Sequence, residues 1–83
     1  MNSNPSKATV LGCIEKALGL PLGSLGETSK STEINNWDSL GQVDIIMALD
    51  ILFGGKVTMI PEMADANSVA DILDILKRHL LLI

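Results

Sequence analysis

Apolar residues recur at helical spacing in three stretches of this chain, and the polar positions between them gather into turns. In the first stretch Val10, Ile14 and Ala17, flanked by Leu11, Cys13 and Leu18, follow a 3.6-residue repeat. Asn4 can cap this helix. Pro5 suits its first position, where the missing N–H would have had no partner. Gly19 and Pro21 end it. The second stretch runs from about Ser39 to Phe53 and stops at Gly54-Gly55. The third begins at Asn67 or Ser68 and sets Val69, Ile72, Leu73, Leu76 and Leu80 on one face. Ser68 and Asp71 resemble a capping box with Asp in place of Glu. Asp71 and Asp74 come early and Lys77 and Arg78 late, which matches the helix dipole, and Asp74 with Arg78 makes an i,i+4 pair.

Residues 20–37 hold Pro21, Gly23, Ser24, Gly26, Thr28, Ser29, Ser31 and Thr32, all turn formers. Leu22, Leu25, Ile34 and Trp37 are expected to pin this long loop to the core and keep it ordered. Val57, Thr58 and Ile60 favour a strand but have no second strand to pair with, so Lys56 to Ile60 is expected to be irregular. Pro61 to Asp65 suits one helical turn, with proline and acids at its start. Leu80 to Ile83 forms an apolar tail. The pattern predicts an all-α bundle with three main helices, one short helix before the last, and a long first loop, in a single domain over residues 1–83.

The second helix differs from the others in being apolar on two sides. At 100° per residue, Ile45, Leu49, Leu52 and Phe53 share one side, the expected core face. Leu40, Val43, Met47 and Ile51 lie roughly opposite, flanked by Asp44 and Asp50. This outer stripe is either exposed for docking or buried under the Lys56 to Met63 segment or the tail.

Composition narrows the function classes. The chain has 83 residues, 47% of them apolar, and a net charge of −4. A packed core is possible, and the basic patch that nucleic-acid binding requires is missing. An acidic chain favours basic partner surfaces. Trp37 and Phe53 are the only aromatic residues, so aliphatic side chains must fill the interior. Met47, Met59 and Met63 suit core filling more than an adaptable pocket. The single cysteine, Cys13, is expected to be a small buried hydrophobe. The polar residues 1–7 lack a signal region, and no apolar run reaches the ~18 residues of a membrane span, so a cytoplasmic location is expected.

Ser39 is the candidate for chemistry. As a nucleophile it would need a base, and the single histidine, His79, is expected to sit exposed on the last turn with nothing linking it to Ser39. No Gly-x-Ser-x-Gly elbow surrounds it either. General acid–base and metal constellations are absent from the sequence, which makes an enzyme the least favoured class. As an acceptor Ser39 is better placed, because a helix N-terminus offers unpaired N–H groups and partial positive charge to an esterified phosphate. Asp38 could help a modifying enzyme by binding its metal or orienting the hydroxyl. The structural alternative is a helix start, with Asp38 as cap or Ser39 and Gln42 as a capping box.

Trp37-Asp38-Ser39-Leu40 leads into Gly41-Gln42-Val43-Asp44-Ile45-Ile46-Met47-Ala48-Leu49-Asp50, and Phe53-Gly54 closes that helix. Leu18-Gly19 closes the first helix, Ile60-Pro61-Glu62 opens the short one, and Asn67-Ser68-Val69 opens the last. In order and spacing, from Val10 to Leu76, the chain resembles acyl carrier proteins, of the wider phosphopantetheine-binding carrier family. The resemblance implies a four-helix bundle of acyl-carrier type. It implies that Ser39 receives 4′-phosphopantetheine from coenzyme A through a phosphopantetheinyl transferase (a holo-carrier synthase), assisted by Asp38. The arm's thiol would hold a fatty acid, a polyketide intermediate or an amino acid as a thioester, loaded by an acyl- or aminoacyl-ligase and delivered to synthase or transferase enzymes. The chain itself would catalyse nothing and act as a monomer. Leu40, Val43, Asp44, Met47, Asp50 and Ile51 would meet these partners.

Gly41 and Ile51 stand where many relatives carry an acid, and Leu52 replaces part of an acidic run. The implied docking has fewer salt bridges and more apolar contact. Trp37 resembles stand-alone carriers of specialised pathways, and physically it is expected to fix the loop against the bundle. The competing class is a non-catalytic helical interaction module, a homodimer among its forms, built on the outer stripe and the Leu80 to Ile83 tail, with Ser39 only a helix cap.

Overall fold

Serine and aspartate caps set where each helix starts. The structure, a computed structural model, describes residues 5–79, 81 and 82. Three α-helices form: α1 (Lys7–Leu18), α2 (Ser39–Leu52) and α3 (Val69–Arg78), with 3-10 turns at Ser31–Glu33 and Pro61–Asp65. The described residues contain no strand, as the pattern predicted. The short helix after Ile60 is a 3-10 segment rather than an α-helix. None of these helices is long and apolar enough to cross a membrane.

The start of α1 corrects the expectation. Ser6 is the cap, its hydroxyl accepting from the Thr9 N–H at 3.3 Å, so the helix opens at Lys7 and Pro5 lies outside it. Asn4 lies outside the described residues. Gly19 closes α1 at φ 70°, a left-handed conformation that costs glycine little. α2 ends in a Schellman motif: Gly54 N–H donates to the Ile51 carbonyl and Gly55 N–H to that of Asp50. α3 is capped by Ser68, whose hydroxyl accepts from the Asp71 N–H at 3.0 Å. The Asp71 carboxylate reaches back to the Asn67 N–H rather than to that of Ser68. Arg78 pairs with Asp74 at 3.0 Å as the spacing predicted.

Val10, Ile14, Ile45, Leu49, Val57, Met63, Val69, Ile72 and Leu76 are fully buried and form the centre of one core. α1 packs along α2, and α3 adds its apolar face. Leu82 is buried in the same core and Leu81 packs against it, its N–H bonded to the Leu76 carbonyl. Leu80 and Ile83, part of the expected tail, lie outside the described residues.

The first loop is ordered by successive turns and by a bridge to the start of α3. Ser31 N–H donates to the Asn67 carbonyl at 2.8 Å and Val69 N–H to that of Ser29 at 2.9 Å. Leu25 and Trp37 are buried and Ile34 packs against the core. Leu22 was expected to anchor the loop but stands 81% exposed. Its place is taken by Glu15, a buried carboxylate whose Oε2 accepts from the Leu25 N–H at 2.9 Å. Met63 fills the core, whereas Met47 and Met59 are exposed. Cys13 is half-buried, and burial pushes its thiol up from the usual range.

Candidate functional site

Three loop-to-helix contacts fix the head of α2. Asp38 is the cap, with Oδ1 accepting from the Gly41 N–H at 2.9 Å and its carbonyl accepting from Gln42 N–H. The Ser39–Gln42 capping box does not form. Gln42 is held elsewhere: its Oε1 accepts from the Trp37 indole N–H at 2.6 Å and its Nε2 donates to the Met63 carbonyl at 2.9 Å. One amide thus joins the loop, α2 and the Pro61–Asp65 turn.

Gly41 is the third contact. A Cβ there would overlap the Asn36 carbonyl oxygen and lie 3.0 Å from Leu18 Cδ2. Asn36 is itself tied down, its Nδ2 donating to the Leu18 carbonyl at 2.9 Å. The approach of the loop therefore leaves no room for a side chain at this position.

Ser39 is the first residue of α2 and is exposed. Its hydroxyl has no hydrogen-bond partner among the described residues. Because Asp38 does the capping, Asp38→Ala is expected to lower stability by about 1 kcal/mol. Ser39→Ala should change it by less than about 0.5 kcal/mol, as for other exposed positions. Urea unfolding of the two variants, followed by far-ultraviolet circular dichroism, measures both.

An open cleft of about 420 Å³ begins at Ser39 and Asp38 and runs between α2 and the segment after Pro61. Trp37, Val43 and Ile46 give it an apolar side, and Asp65 and Asn67 a polar one. Sequence reasoning missed Asp65 and Asn67. They reach the cleft only because the loop–α3 bridge and the Gln42 amide draw residues 63–67 towards α2.

The outer stripe of α2 is exposed: Leu40 by 77%, Val43 by 51%, Met47 by 58% and Ile51 by 82%. Neither the Lys56–Met63 segment nor the described part of the tail covers it. Asp44 is exposed beside it. Asp50 is half-buried and turned to an internal task, its Oδ1 accepting from the N–H groups of Thr58 (2.9 Å) and Val57 (3.1 Å) and from the Thr58 hydroxyl. The Thr58 N–H above all holds its carboxyl below the ordinary carboxylate range. His79 caps the C-terminus of α3, exposed, with Nε2 3.3 Å from Glu62 Oε1. The site at Ser39 therefore consists of an exposed hydroxyl on a firmly held helix head, a cleft beside it and an apolar ridge running away from it. No protein-family model, curated protein or solved structure matches the chain.

Proposed function

We propose that this chain is an acyl carrier protein, a bundle of acyl-carrier type whose short helix is the Pro61–Asp65 turn. Ser39 is the attachment point for 4′-phosphopantetheine. The observation that carries the reading is the division of labour at the head of α2. Asp38 holds the helix, and the Ser39 hydroxyl, exposed and without a bond among the described residues, is left with no structural task.

The residues present fit such a group. The hydroxyl faces solvent, the first turn of a 14-residue helix lies behind it with its positive end outward, and an open cleft adjoins it. In the attachment step the Ser39 oxygen bonds the phosphorus of coenzyme A that carries the pantetheine. Adenosine bisphosphate leaves, and the hydroxyl proton passes to the transferase. Asp38 assists by helping to bind that enzyme's metal or by orienting the hydroxyl. Once attached, the group supplies a thiol that holds an acyl or aminoacyl cargo as a thioester. The chain contributes position: Trp37, Val43 and Ile46 offer the arm an apolar wall, and Gln42 keeps that wall in place. On this reading the chain is a cytoplasmic monomer and not an enzyme, serving ligases, synthases and transferases of fatty-acid, lipid or secondary-metabolite synthesis.

A second reading, a helical interaction module, draws on the exposed stripe of α2. One experiment separates them. The chain is incubated with coenzyme A, magnesium and a broad-specificity phosphopantetheinyl transferase, and its intact mass is recorded. The carrier reading expects one added arm, absent in Ser39→Ala. An unchanged wild-type mass would overturn it.

A further inference from the structure

Gln42 stands where the cleft meets the core. Its Nε2 donates to the Met63 carbonyl at 2.9 Å and its Oε1 accepts from the Trp37 indole N–H at 2.6 Å. One amide therefore stitches α2 to the Pro61–Asp65 turn and to the end of the first loop. A chain passing from Ser39 between α2 and that turn would have to part these bonds. An apolar chain offers nothing in exchange, and it would leave the amide, the indole N–H and the Met63 carbonyl without partners. Behind the stitch stand Ile45, Leu49, Met63, Ile72 and Leu76, each at most 1% exposed. Trp37, Ile46 and Ala66 line the cleft and are packed in or against the same core.

The polar side of the cleft has a different character. Ser31 and Asn67 both line it. Their backbones are tied together, Ser31 N–H to the Asn67 carbonyl at 2.8 Å. The Ser31 hydroxyl and the Asn67 carboxamide have no hydrogen-bond partner among the described residues. Between them these groups donate and accept, which suits a ligand carrying secondary amides. Trp37, Val43 and Ile46 suit its apolar stretches. A pantetheine arm has both. Resting on the carrier reading, we propose that the cleft holds the arm alone, gripped through its amides by Ser31 and Asn67, and that Gln42 bars the cargo from the core. The cargo then rides in water. Each methylene of an alkyl chain is unfavourable there. The class of cargo that suits this chain is therefore a short or polar acyl or aminoacyl group, not a long fatty acyl chain.

The test loads the chain with the same broad-specificity transferase from acetyl-, octanoyl- or dodecanoyl-coenzyme A, each product confirmed by intact mass. A methylene moved from water into the core raises the melting temperature of a domain this size by about 3–6 °C. The three loaded forms should therefore melt within about 3 °C of one another, less than a single buried methylene would give. Trp37 emission should shift when plain coenzyme A supplies the arm and then stay the same for all three cargoes. The Ser31→Ala, Asn67→Ala double variant should lose most of that shift. Its unmodified form should melt near wild type, because the bridge between the two residues uses backbone atoms. In Gln42→Ala the melting temperature should climb as the cargo lengthens. A wild-type melting temperature that climbs with chain length, or an emission that shifts again with dodecanoyl cargo, overturns the proposal and leaves the carrier reading standing. So does an arm that leaves Trp37 emission unaltered, or a shift that the double variant retains. A flat series in Gln42→Ala removes Gln42 as the bar. A wild type that accepts no arm overturns both readings.

Discussion

Trp37→Ala is expected to lower the unfolding free energy by about 3–5 kcal/mol, the range for removing a large buried aromatic side chain. A chain of this length has a total of about 4–12 kcal/mol to lose, so the variant should be partly or wholly unfolded at ambient temperature. Two effects combine. The indole is buried between the loop and α2, and its removal leaves a void in a core with only one other aromatic ring, Phe53. It also deprives Gln42 Oε1 of its 2.6 Å donor. Gln42 would then hold the Met63 carbonyl less firmly, and the cleft beside Ser39 would lose its wall. Trp37→Phe keeps most of the volume and removes the donor, so it should cost about 1–3 kcal/mol, the penalty for leaving a half-buried acceptor unpaired. Urea unfolding followed by far-ultraviolet circular dichroism checks both variants, since neither retains a tryptophan to follow.

The second large effect is a pair of identical substitutions with opposite signs. Glycine to alanine inside a helix ordinarily stabilises by up to about 1 kcal/mol through propensity. Gly12, in α1, has nothing within 4 Å of the position a Cβ would take, so Gly12→Ala should show that gain. Gly41 is also helical, yet its Cβ would overlap the Asn36 carbonyl oxygen. Asn36 cannot easily yield, because its side chain is bonded to the Leu18 carbonyl and Trp37 follows it into the core. Gly41→Ala should therefore destabilise by about 1–3 kcal/mol net, as overpacking does. If Ser39 carries the proposed arm, the displaced loop should also slow its attachment. Melting temperatures of the two variants, measured side by side, test the contrast. A stabilised Gly41→Ala would mean the loop does not lie where it has been placed.

The helices were legible because their ends are written in local chemistry. Gly54-Gly55 and Ser68 mark boundaries that depend on one or two residues, and the structure places them there. The start of α1 was less clear because Asn4, Pro5 and Ser6 all suit a helix head, and only the bond from Thr9 N–H to Ser6 selects among them. The exposure of the α2 stripe was open, since an amphipathic repeat shows which residues share a side and not whether another segment covers it. Contacts between distant parts of the chain were illegible. Gln42 read as a capping partner because its spacing from Ser39 fits, but Trp37 and Met63 offer it better partners in three dimensions. Glu15 is not picked out by the apolar repeat of α1. Its one local hint was its place three residues before Leu18, close to the buried side of α1, and its partner lies ten residues away at Leu25. Gly41 stood out only as a departure from the resembled pattern and gave no sign of its steric role, because the carbonyl that demands it belongs to a loop whose path is set by Leu18 and Asn36.

The chain has a single indole, and it lines the same cleft that opens at Ser39. Its emission is therefore an intrinsic gauge of that cleft. Whatever settles there alters the polarity around one fluorophore with no second tryptophan to mask the change, so occupancy can be titrated optically on the unlabelled protein.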